Sequence, residues 1–156
     1  MAQHWAAVAS YASKVLGVGP RSGEDIAQEV FLKLWAGDIR WSGEGSSRAF
    51  LLGVTRNLCL NRRRKESLRK RLSDKVRTQF QLWQRMPNPG EDLQASELQR
   101  RLDVVLESMP ARRREVFLLI RMQGLSYAEV AEIMGISAQT VANQMTLALK
   151  QLRQAL

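Results

Sequence analysis

Gln139, Asn143, Thr146 and Lys150 follow one another at intervals of four, three and four residues. At about 100° per residue that spacing stacks them on one side of a helix. Side-chain amides pair with base edges, and a lysine neutralises phosphate, so the face has the chemistry of a DNA groove reader. Such chemistry needs a rigid helix that turns this side outward, and the flanking residues read as its scaffold. Val141, Met145, Ala148 and Leu152 fall on the opposite side and belong to a core, with Ala142 and Leu147 at the edges of the polar face. Upstream, Ser126 and Glu129 have capping-box spacing, and Val130, Ile133 and Met134 give a short helix its apolar side. Gly135 supplies the positive φ of a tight turn, and Ser137 caps the next helix. Ala131 is small where two helices cross, and the spacing Ala131, Gly135, Val141 is that of a helix-turn-helix. Residues 125–152 therefore point to DNA. An ordinary helical hairpin with a solvated face would not require cap, turn glycine, small residue and polar face together.

The chain has 156 residues, enough for one ordinary domain or two small ones, and a formal net charge of +9. That charge is unevenly placed. Residues 61–77 carry nine basic side chains against only Glu66 and Asp74, whereas residues 91–156 hold eight basic and eight acidic residues. A polyanion is expected near the middle of the chain as well as at the helix-turn-helix; a solvated linker or a localisation-type basic run is the alternative from charge alone. The single cysteine, Cys59, excludes an internal disulfide and reads as a small core residue. His4 is the only histidine, so no histidine-based catalytic pair or metal cluster can be assembled, and no cofactor is expected. No apolar run approaches the roughly 20 residues that span a bilayer, and the N-terminus lacks the order of a signal peptide. The expectation is a cytoplasmic protein without stable membrane insertion, and not an enzyme.

The elements that must hold these residues are helices throughout, with no convincing strand. Trp5, Val8, Ala9, Ala12, Val15 and Leu16 keep helical spacing until Gly17 and Gly19-Pro20. Ser22 with Asp25 reads as a capping box opening a second helix through Ile26, Val30, Phe31 and Leu34 to about Trp35. A polar loop from Asp38 to Ser47 follows, and Arg48 begins a third helix with Leu51, Val54 and Leu58 on its apolar side, running into the basic stretch. Residues 86–92, with two prolines and a glycine, read as a linker. Beyond it, Leu98, Leu102, Val105, Leu106 and Met109 form one helix ended by Pro110, and Ala111 to Met122 the next, with Val116, Phe117 and Ile120 inward. The fold class is all-α: two small helical domains, 1–80 and 95–156, joined by a flexible linker at 81–94, the second containing the helix-turn-helix.

With both halves laid out, the chain resembles the extracytoplasmic-function (ECF) sigma factors, the smallest members of the bacterial sigma-70 family. The resemblance rests on residues 24–31, residues 48–58 running into Arg62-Arg63-Arg64, Met109 through Phe117, and Leu125 through Val141, in that order. It implies that Asp25, Gln28 and Glu29 dock on the β′ clamp helices of core RNA polymerase, whose β subunit is a further partner. It implies that the loop 38–47 and the helix from Arg48 to Asn61 recognise and melt the minus-ten promoter element. Holding a separated strand takes cations for phosphates and flat faces for unstacked bases. Arg48, Arg56, Asn57, Asn61, Arg62, Arg63 and Arg64 would supply the polar part, and Trp41 or Phe50 the flat one; Phe50 equally suits packing within the bundle. The second domain would read the minus-thirty-five element through Ser137, Gln139, Thr140, Asn143, Gln144, Thr146 and Lys150, with Arg112, Arg113, Ser126 and Tyr127 near the phosphate backbone.

Two departures qualify the family pattern. Members usually have more residues before the helix at Trp5, so the first helix is expected to be clipped. They often place basic residues where Ala142 and Gln144 stand, which implies a different minus-thirty-five preference. Ala142-Asn143-Gln144 resembles subgroups controlled through cell-surface signalling, such as iron-uptake regulators. The function expected is a promoter-specificity subunit, with an anti-sigma factor as a further partner. The alternatives are a stand-alone helix-turn-helix regulator, for which the first 90 residues offer no dimerisation or ligand domain, and a degenerate sigma that titrates its partners.

Overall fold

The computed structural model describes residues 2–16, 20–72 and 93–156. The expected stops at Gly17 and Gly19, the linker at 86–92 and the basic residues Lys75 and Arg77 lie outside them. The described residues are helical with no strand, and the chain divides into two units, Met1–Arg85 and Met86–Leu156.

The first unit consists of α1 (Ala2–Leu16), α2 (Pro20–Ala36) and α3 (Ser47–Leu72). Val8, Tyr11, Ala12 and Val15 of α1, Ile26, Ala27 and Val30 of α2, and Leu51, Leu52 and Cys59 of α3 are buried together as its core. Thr55 is buried among them, and its hydroxyl donates to the Leu51 carbonyl at 2.6 Å, which removes the penalty of an unpaired polar group. α2 does not open on Ser22 and Asp25. It starts at Pro20, whose fixed φ and missing N–H suit the first helical position, so both residues lie inside the helix. Gly23 permits the close approach of α1 and α2: a Cβ there would run into the Ala9 carbonyl and the Ser13 Cβ. The buried side of α3 is also rotated from its expected line. Leu51, Leu52, Thr55 and Cys59 face inward, while Val54 and Leu58 are half-buried. Ser46 caps α3, its hydroxyl accepting from the Ala49 N–H at 3.3 Å.

The second unit comprises α4 (Leu93–Ser108), α5 (Ala111–Phe117) continuing through a π turn at Leu118–Met122, α6 (Tyr127–Met134) and α7 (Ala138–Ala155). Its core gathers Val105, Leu106 and Met109 with Val116 to Leu119, Leu125, Val130, Val141, Met145 and Ala148. Leu98, expected inside, is 59% exposed. Ile120, expected inward, is half-buried, whereas Leu118 and Leu119 are both buried. The π turn begins here, the Gln123 N–H reaching the Leu118 carbonyl at 3.1 Å and widening the helix. On α4, Glu97 pairs with Arg100 and Arg101 at 3.2 and 3.1 Å. These bonds, that from Arg100 foremost, hold the Glu97 carboxyl below the usual glutamate range.

Candidate nucleic-acid interface and docking face

α6 and α7 form the expected helix-turn-helix. The Ser126 hydroxyl accepts from the Glu129 N–H at 3.2 Å and the Glu129 carboxylate accepts from the Ser126 N–H at 2.9 Å, a complete capping box. Gly135 ends α6 in the left-handed region at φ 66°, where a side chain would be strained. Ser137 caps α7, accepting from the Thr140 N–H at 3.0 Å, and its hydroxyl also meets that of Thr140 at 2.8 Å. Val141, Met145 and Ala148 are buried beneath, and Leu152 is half-buried.

This packing leaves Gln139, Asn143, Thr146 and Lys150 exposed on one face. The Gln139 Nε2 donates to Asn143 Oδ1 at 3.0 Å, and the Thr146 hydroxyl donates back to the Ala142 carbonyl at 3.0 Å. Leu147, 41% exposed, borders them. Gln144 does not join this face. It is half-buried and its Oε1 accepts from Arg113 Nε at 3.5 Å. Arg113 also donates to Gln151 Oε1 at 3.0 Å, and the Gln151 amide donates to Ser108 Oγ at 3.1 Å. The guanidinium thus ties α5 to α7, a role that charge alone could not reveal. Arg112 is exposed, as are Ser126 and Tyr127 at the start of α6.

In the first unit the residues expected to handle a separated strand divide into two groups. Phe50, Asn57, Asn61 and Arg64 recur at intervals of seven, four and three along α3 and so share a face; Phe50 is half-buried and the other three are exposed. Arg62 and Arg63 point elsewhere. Arg62 pairs with Glu29 of α2 at 3.6 Å, and the Arg63 guanidinium donates to the Val15 carbonyl in the last turn of α1. Arg48 and Arg56 are half-buried. In the loop before α3, Trp41 is 43% exposed and its indole N–H donates to the Glu44 carbonyl at 3.1 Å, which orders the ring.

α2 presents a second, unlike face. Asp25 and Gln28 are exposed and Glu29 is half-buried, and Leu32 and Trp35 continue the same side at helical spacing. Leu32 is 61% exposed and Trp35 92%. They border an open groove with Asp25, Glu29, Lys33 and Asp38. An indole left so fully in water is unusual without a partner that covers it. Sequence reading marked the acidic residues and missed the apolar half; the interval from Gln28 to Leu32 to Trp35 was the available signal. By contrast Trp5 stacks on Phe31 with centroids 5.4 Å apart. His4 lies 3.3 Å from the Ser47 hydroxyl, a tie between α1 and α3.

The described residues thus form a three-helix unit followed in the chain by a helix-turn-helix unit. Two family models match in that order: Sigma-70 region 2 over residues 1–69 and Sigma-70 region 4 over residues 99–152. The chain belongs to the sigma-70 family, in its extracytoplasmic-function class. It is 28% identical over 118 residues to the ferric citrate uptake sigma factor FecI of Escherichia coli, covering 76% of this chain and 66% of FecI. It is 28% identical over 130 residues to the ECF RNA polymerase sigma factor SigE of Mycolicibacterium smegmatis, covering 83% of this chain and 50% of SigE. The match thus spans half to just under two thirds of these relatives. Among solved structures, the fold resembles the sigma factor RpoE from Bartonella quintana in complex with the anti-sigma factor NepR, with a TM-score of 0.81 at 24% identity over 98% of this chain and 91% of that one. It also resembles CnrH in complex with the cytosolic domain of CnrY, with a TM-score of 0.66 at 21% identity over 98% of this chain and 82% of that one. No helix among the described residues is long and apolar enough to cross a membrane.

Proposed function

We propose that this protein is a promoter-specificity subunit of bacterial RNA polymerase, acting in the cytoplasm and without catalytic activity of its own. The observation that carries the reading is the ordered pair of Sigma-70 regions, the second of which leaves Gln139, Asn143, Thr146 and Lys150 open on a capped helix. α7 enters the major groove of the minus-thirty-five element, with Arg112, Ser126 and Tyr127 beside the phosphates. The face of Phe50, Asn57, Asn61 and Arg64 takes the separated strand of the minus-ten element, with Trp41 in the preceding loop. Asp25, Gln28, Glu29, Leu32 and Trp35 dock on core polymerase at the β′ clamp helices, and the β subunit supplies further contacts. An anti-sigma factor is a fitting partner, since RpoE was solved in complex with the anti-sigma factor NepR.

The test is run-off transcription with purified core polymerase, the protein and genomic promoter fragments. Promoter-dependent transcripts that vanish without the protein support the reading. Specific duplex binding by the free chain at physiological salt, with no transcript in the presence of core enzyme, refutes it in favour of a stand-alone regulator.

A further inference from the structure

The base that Asn143 can read depends on which way round its amide stands. Oδ1 is an acceptor and Nδ2 a donor, so a flip exchanges the pattern offered to a base edge. The major groove distinguishes base pairs by that pattern: adenine offers an acceptor beside an amino donor, guanine two acceptors. One turn earlier on the same exposed face, Gln139 Nε2 donates to Asn143 Oδ1 at 3.0 Å. Flipping Asn143 alone would bring Nδ2 against Nε2, donor against donor, so while Gln139 donates through Nε2 the contact holds Asn143 in one orientation. The first turn that carries Gln139 is itself held by the Ser137 cap and its contact with the Thr140 hydroxyl. Recognition helices contact base edges from their N-terminal residues, which is where this pair stands.

We propose that Gln139 is a positioning residue that sets the polarity of the Asn143 amide, so that two residues acting as a unit decide one base preference in the upstream promoter element. The inference rests on α7 being the base-reading helix. It alters the simple expectation for two groove-facing amides, which is that each reads its own base and that their contributions add. Here the preference belongs to the pair, and removing Gln139 disturbs a base it does not itself have to touch.

The experiment uses the full chain reconstituted with core RNA polymerase and a pool of promoter duplexes randomised across the upstream element, with the bound fraction sequenced. Asn143→Ala identifies the relevant base pair as the one whose preference, about five- to 150-fold for a bidentate contact, disappears. Gln139→Ala is expected to erase most of the preference at that same pair although Asn143 is intact. Gln139→Lys keeps a donor toward Oδ1 and retains the preference. Gln139→Glu offers an acceptor, draws Nδ2 toward position 139 and inverts it. Because each readout is a ratio between bases, a uniform loss of affinity from the added negative charge does not mimic inversion. If Gln139→Ala leaves the preference at the Asn143 pair whole and changes only a neighbouring one, the amides read separately and the positioning role is wrong. If only Asn143→Ala is silent, Asn143 reads no base and the positioning role is wrong; if neither Asn143→Ala nor Gln139→Ala alters a preference anywhere, α7 is not the reader, and the failure lies with the proposed function.

Discussion

Replacing Arg113 by alanine separates a structural arginine from a phosphate clamp. Its sequence neighbourhood, three consecutive arginines, suggests DNA backbone contact, yet its guanidinium bonds Gln151 at 3.0 Å and Gln144 at 3.5 Å. The second distance is at the limit of a hydrogen bond, so the Gln151 contact dominates. A bond from a charged donor contributes about 1.5–3 kcal/mol, and half-exposed acceptors recover water when it is lost, which places the expected loss near 1.5 kcal/mol. For a unit of this size about 1 kcal/mol moves Tm by roughly 4–8 °C, so the transition of the second unit should fall by about 6–12 °C. The assay is calorimetry on the full chain, with salt-dependent promoter binding by the reconstituted polymerase in parallel. Arg113→Ala should lower Tm and leave the slope of log K against log salt unchanged. Arg112→Ala, with an exposed side chain, should leave Tm unchanged and reduce the slope by about one unit, as loss of one phosphate contact does. Should Arg113→Ala melt like the parent and reduce the salt slope, its guanidinium leaves the glutamines for DNA, and the reasoning from the α5–α7 tie is refuted.

Trp35→Ala should leave Tm unchanged, since the ring is 92% exposed, while weakening association with core polymerase by about 2 kcal/mol, as expected of a buried aromatic anchor in an interface; an unaltered Kd in a competition assay would remove Trp35 from the docking face. Gly135→Ala should destabilise the second unit by about 1–2 kcal/mol in denaturant titration, because alanine must adopt the left-handed conformation at φ 66°. Arg64→Ala should reduce promoter melting, followed by permanganate reactivity, on all promoters alike, whereas Arg63→Ala should register chiefly as a lower Tm of the first unit because its partner is the Val15 carbonyl. The Glu97 carboxyl should titrate below an ordinary glutamate by NMR, and Arg100→Ala should move it upward. Its lowered value means that the pairing with Arg100 and Arg101 is intact above the unfolded-state pKa and is lost as pH falls through the folded-state one.

What the sequence determined by itself was local. The capping box at Ser126 and Glu129, the positive φ at Gly135, the Ser137 cap and the alternation of buried Val141, Met145 and Ala148 with exposed Gln139, Asn143, Thr146 and Lys150 all depend on residues within a few positions of one another. Backbone geometry repeats along a helix, so periodicity alone carries that information. The all-α class and the order of the two helical units followed from the same repetition. Only the tertiary structure decided which arginines find partners within the protein. Arg62 meets Glu29 across two helices, Arg63 meets the end of α1, and Arg113 meets residues 31 and 38 positions later in the chain. It also decided that Gly23 is required where α1 and α2 approach, that α2 starts at Pro20, and that Leu118 and Leu119 are both buried where the helix passes into a π turn. Charge and spacing report what a side chain can do, but its partner depends on which distant surface packs against it, and the folded helices alone bring that surface near.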